Sequence, residues 1–227
     1  MTSSDAATIR VAVVGDWVPS QLADVLALQR SQEPETTAAL VACSAAEPAR
    51  APSPGSRIDF AVSMIELDWP GWVCEPLWTD RLAVAVAKRS HLLAYREVPR
   101  NELPKQPVIC AQSTAREPWD AVVHCMLVDT PQDQGSRVST FDMAMTLVAA
   151  GYGIAIAPVA RLAGYQCRGI AMRPLANAPT IVMAYLLHPC ASLAGHQQRF
   201  ARRARLMSGA KNQSAEQPRM NKAGRSE

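Results

Sequence analysis

No stretch of this chain approaches the roughly 18 consecutive apolar residues that a membrane-spanning helix needs, so no span is expected. Met1 to Thr8 are polar and lack the charged-then-apolar order of a secretory leader, which predicts a protein that stays in the cytoplasm. Six cysteines, Cys43, Cys74, Cys110, Cys125, Cys167 and Cys190, include no Cys-x-x-Cys pair. In a reducing compartment they read as buried thiols. The four histidines, His91, His124, His188 and His196, are far apart, and none has a second ligand at metal-site spacing. His124 and Cys125 are adjacent, but neighbouring helix residues point in different directions, so no metal is expected. A Gly-x-Ser-x-Gly elbow, a Walker loop, a His-Glu-x-x-His pair and a glycine-rich dinucleotide turn are all missing. Gly151 and Gly153 follow a helical pattern and precede a strand pattern, the reverse of the dinucleotide arrangement. The expectation is no enzyme and no cofactor. No internal repeat is visible either.

What the chain does contain is unevenly distributed. The formal charge is +3, but residues 199–227 hold 8 Lys/Arg against 2 Asp/Glu, net +6, while residues 1–198 hold 15 against 18, net −3. A mildly acidic body offers no general attraction for a phosphate backbone, and no direct nucleic-acid binding is expected of it. Arg199, Arg202, Arg203 and Arg205 lie on or after a terminal helix of about 192–207. Beyond it, residues 208–227 are polar and read as a disordered basic tail.

The densest local signal runs from Val138 to Pro158. Ser139 and Thr140 can cap a helix over 141–150, Gly151 tolerates the left-handed turn that ends it, and Ile154 to Ala157 is apolar enough for a parallel strand covered on both faces. A helix start presents unpaired N–H groups to polar or anionic ligand atoms, but the same order also suits an ordinary helix and strand with no ligand. Upstream, Ile9 to Val14 followed by Gly15 reads as a first central strand, with a helix over about 17–31 and a second strand over 38–43. Pro48, Pro52, Pro54 and Gly55 argue for a loop rather than a helix between Ser44 and Arg57, since each interior proline costs roughly 3 kcal/mol in a helix. Asp59 to Met64, Leu82 to Ala87, Pro107 to Cys110, Ile170 to Leu175 and Ile181 to Leu187 read as further strands. Trp119, Val122, Val123, Met126 and Leu127 line one helix face. Trp69, Trp72 and Trp78 read as cover for a core edge, with their N–H groups left wet.

The run Leu147-Val148-Ala149-Ala150-Gly151-Tyr152-Gly153-Ile154-Ala155-Ile156-Ala157-Pro158 closely resembles the late segment of the effector-binding domain of LysR-type transcriptional regulators. Ile9 to Val14, Asp59-Phe60-Ala61-Val62-Ser63, Glu75-Pro76-Leu77 with Asp80 to Val86, and Ser90-His91-Leu92-Leu93 match other parts of that domain in the same order. The likeness covers about residues 8–206. The family's N-terminal winged helix-turn-helix and linker helix have no counterpart in it. The resemblance implies an α/β fold of two Rossmann-like subdomains, of the type 2 periplasmic-binding-protein kind, joined by two crossover segments. Residues 8–82 with 184–207 would form subdomain I, and 83–183 subdomain II. A small effector would sit in the cleft between them.

By the same resemblance, Asp16, Trp17, Ser44, Ser113, Thr114, Ser139 and Thr140 match effector-contacting positions. Capping alone accounts for the hydroxyl groups as well as ligand contact does. Asp16 departs from the small or hydroxylated residue usual in the family; it would repel an anionic effector, accept from amine or hydroxyl groups, or cap the first helix. Trp17 could fill the cavity. The implied function is small-molecule sensing, exerted through a homodimer or a heterodimer with a full-length LysR-type regulator. A solute-binding protein for transport, and a degenerate domain kept only as a dimerisation partner, are the competing readings.

Overall fold

The computed structural model describes residues 7–15, 17–43, 58–111, 119–120, 122–123, 136–176 and 181–215, with side chains to Ser208. Strand β1 (Thr8–Val14) leads through Gly15, at φ 100°, into helix α1 (Ser20–Gln32), and β2 (Thr37–Cys43) and β3 (Phe60–Ser63) follow. Strand β4 (Trp72–Ala87) is 16 residues long. Beyond it, two short 3-10 turns (His91–Ala94 and Arg100–Lys105) precede β5 (Ile109–Ala111), β6 (Ser136–Val138) and helix α2 (Phe141–Ala150). Then come β7 (Ala155–Pro158), helix α3 (Val159–Ala163), β8 (Ile170–Pro174), β9 (Ile181–Pro189) and helix α4 (Gly195–Ala215).

The lobes follow from how β4 is shared. Its residues 72–81 pair antiparallel with β9, which pairs with β3 in turn, and β1 lies parallel between β3 and β2. Its residues 82–87 pair instead with β7 and β8, both antiparallel. One extended strand thus belongs to both halves, and the chain returns to the first half between β8 and β9. The second half is completed by β5, parallel to β6 and hydrogen-bonded to Ile154 just before β7. This is the two-lobed α/β fold class expected, with β4 common to both sets of strands.

Several local expectations shift. Helix α1 begins at Ser20 because Pro19 holds ψ at 133°, outside the helical range, and Pro19 itself is the cap, without a side-chain hydrogen bond. Asp16, for which a capping role was one expectation, lies outside the described residues. The strand at Ile154 to Ala157 is not simply parallel: it lies antiparallel to β4, with β5 parallel to it through Ile154. Trp78 is buried, but its indole N–H donates to the Ala204 carbonyl at 3.3 Å rather than to water, while Trp69 packs edge-on against Trp72. The cysteines are less buried than expected: Cys167 and Cys190 are exposed because they lie in the turns bordering β8 and β9, and Cys43, Cys74 and Cys110 are half-buried. Cys125 lies outside the described residues.

Helix α4 continues past Met207 to Ala215, where a tail was expected; Ser208 donates its hydroxyl to the Leu77 carbonyl, which anchors this turn on β4. Residues 216–227 are outside the described set. Glu33, at the end of α1, grips α4 from below: it pairs with Arg203 at 2.9 Å and with Arg199, while Arg203 also donates to Gln29 at 2.6 Å and Gln32 at 2.8 Å. Burial raises the Glu33 carboxyl pKa, but the hydrogen bonds from Arg203, Arg199 and Gln29 outweigh it and hold the group at about 2.

Candidate functional site

Four segments follow strands in the sequence, and side chains from them meet. Beyond β1 comes Trp17, and beyond β5 come Trp119 and Asp120. Beyond β6 comes the start of α2, and beyond β7 comes α3 with Arg161. Trp17 is half-buried and belongs to the first lobe; Trp119, from the second, is 2% exposed. Their rings meet edge to face, with centroids 5.9 Å apart and planes at 88°. The aromatic quadrupole favours this geometry. On the same cluster, the Arg161 guanidinium lies 3.9 Å from the Phe141 ring centroid and 5.1 Å from that of Trp119, within cation–π range of both.

Phe141 is the first residue of α2, and the sequence around it behaves as expected. Thr140 is the cap, its hydroxyl accepting from the Met143 N–H at 3.2 Å. Gly151 closes the helix in the left-handed region, at φ 88° and ψ 20°, and Arg89 donates to the last-turn carbonyl of Ala150, where a cation complements the helix dipole. Gly153 then has no room for a side chain, because a Cβ there would collide with the Pro107 carbonyl oxygen. Asp142 sits in the first turn, where a carboxylate suits the unpaired N–H groups, and takes hydrogen bonds from the Tyr165 hydroxyl at 2.8 Å and Arg168 at 3.1 Å. Burial and then the Asp142 carboxylate push the Tyr165 pKa up.

Ser139 and Thr140 are both exposed beside this start, with the Ser139 hydroxyl directed to the Met143 sulfur at 3.2 Å. Trp17 therefore faces the second lobe, on which Ser139 and Thr140 stand. Asp16, Ser44, Ser113 and Thr114 lie outside the described residues. Trp119, Phe141 and Arg161 were not picked out as site residues from sequence. Trp119 carried a core-face signal, whereas Arg161 had one available: it is the lone charge in Ile154 to Ala163, directly past a strand's carboxyl end. Trp119 also borders a cavity of about 10 Å³ whose lining, Ile109, Ala111, Val123, Phe141 and Ala144 among others, belongs to the second lobe and does not include Trp17.

Asp80 on β4 links the strand to the start of α3. One carboxylate oxygen accepts from the Ala160 N–H at 2.9 Å, at the start of α3, and the other from the Arg81 N–H at 2.7 Å. Burial raises the Asp80 pKa against the pull of these two bonds. Among the described residues no group of three His, Cys, Asp or Glu side chains comes together to hold a metal, and no helix is long and apolar enough to cross a membrane.

The match to the LysR substrate binding domain family spans residues 2–205, nearly the whole chain. This chain belongs to that family. The effector binding domain of BenM with its effector benzoate is 20% identical and superposes with a TM-score of 0.75, over 94% of this chain and 96% of that one. The effector binding domain of QuiR in complex with shikimate is 16% identical, with a TM-score of 0.70 over 89% and 97%. Full-length CbnR complexed with its target DNA is 17% identical, with a TM-score of 0.74 over 90% of this chain and 72% of that one. At these identities the likeness establishes the shared fold. Among curated proteins, none matches this chain.

Proposed function

We propose that this LysR-type effector-binding domain senses a small molecule held between its lobes, in the cytoplasm, and answers through a homodimer or a heterodimer with a full-length regulator. The observation that carries the reading is the meeting of Trp17 from the first lobe with Trp119, Phe141 at the α2 start and Arg161 on α3 from the second. Asp16, Trp17, Ser44, Ser113, Thr114, Ser139 and Thr140 are the proposed contacts. A ligand touching both lobes favours one lobe angle over others, and β4 with Asp80 carries that choice to the rest of the domain. The net charge of −3 on residues 1–198 supports a role without direct nucleic-acid contact. Membership of the LysR substrate binding domain family supports a sensor rather than an enzyme.

One observation favours a second reading. The Trp17–Trp119 contact across the lobes suits a domain that no longer binds ligand and serves only as a dimerisation partner. Thermal melting against benzoate, shikimate, amino acids and sugars separates the two. A ligand at a hundred times its dissociation constant adds about 2.7 kcal/mol, so a sensor shows a clear rise in Tm with at least one compound. A tight dimer whose melting is unchanged across the panel supports the second reading and overturns the first.

A further inference from the structure

We infer that Trp17 is a resident occupant of the cleft, an internal side chain that bridges the two lobes itself and has to leave for an effector to bridge them. The inference rests on the sensing role proposed above. Trp17 comes from the first lobe, yet the ring it meets edge-on belongs to the second. The receiving surface is preformed: Trp119 is 2% exposed and Phe141 is buried, and the Arg161 guanidinium stacks on both. By contrast, Trp17 stands between Gly15, at φ 100°, and the exposed Val18, ahead of a helix that begins only at Ser20. It is thus a half-buried aromatic group on a connection, docked against a fixed aromatic and cationic platform.

If Trp17 is an occupant, deleting its side chain should leave a slot of indole shape. Trp17→Gly, with Trp17→Ala as a second variant whose fold is checked by circular dichroism, is titrated with free indole by calorimetry alongside the wild type. The expected result is a dissociation constant at least ten-fold lower in either variant than in wild type, with the gain lost when Trp119→Ala is added. Equal indole affinity in wild type and both variants overturns the inference. Competition for the indole site by benzoate, shikimate, amino acids and sugars then separates this inference from the sensing role. Indole uptake that no panel compound displaces leaves the occupant standing and removes the sensor. A panel compound that binds wild type and Trp17→Ala with equal affinity does the reverse.

Discussion

Two clusters tie distant parts of this chain together, and they are built from opposite materials. In the first lobe, Glu33 and Arg203 are nearly fully buried, and every polar group of the Arg203 side chain that meets α1 has a partner, in Gln29, Gln32 or Glu33. Between the lobes, Trp17 and Trp119 meet through ring edges, with Arg161 above and exposed hydroxyls beside them. Removing one partner from the first cluster strands a charge in a place water does not reach. Separating the second exposes two rings to water and breaks no hydrogen bond between them. The terminal helix is thereby fixed in place, while the inter-lobe contact parts at a smaller cost.

The comparison is most severely tested at Arg203. Arg203→Ala leaves the Glu33 carboxylate buried without its main partner, and urea unfolding should show a loss of about 3–5 kcal/mol. The same lock responds to pH. Glu33 is held at about 2 against 4.5 in the unfolded chain, so its contribution is fully present above pH 4.5 and drains away as pH falls toward 2. Unfolding midpoints of wild type should fall over that window more steeply than those of Glu33→Gln.

In the second lobe, Gly153→Ala forces a methyl group into the Pro107 carbonyl and should cost about 1–3 kcal/mol in the same assay. A variant of unchanged stability would show that β5 and β7 can separate freely. The cleft contact should be weaker still: a double-mutant cycle of Trp17→Ala and Trp119→Ala should return a coupling of about 0.5–1.5 kcal/mol. A coupling as large as the Arg203 loss would erase the distinction between lock and latch. Thr140→Ala should cost about 1 kcal/mol through its lost cap. Ser139→Ala, whose hydroxyl caps nothing, should change stability by less than about 0.5 kcal/mol while reducing any ligand-induced rise in Tm.

Much of the fold was legible because its signals are local. The cap at Thr140, the helix over 141–150 and the left-handed Gly151 follow from residues that touch each other within a turn, and each stands where the sequence puts it. The start of α1 was misplaced by three residues, since proline is tolerated both inside a first turn and just before one. The site was less legible. Trp17 and Trp119 are about a hundred positions apart, and Glu33 and Arg203 further still; nothing in the local pattern of either member names its partner. Gln21 and Gln29 show the same limit: they lie on the buried stripe of α1, where periodicity alone would put leucine, and the reason at Gln29 is an arginine on another helix.

Amide hydrogen exchange with and without the strongest-binding compound of the panel tests most directly whether both lobes hold one ligand. Amides around residues 15–20 and around residues 139–144 should gain protection together, at the same ligand concentration. Protection confined to one lobe, or a bound compound that protects neither segment, would contradict it.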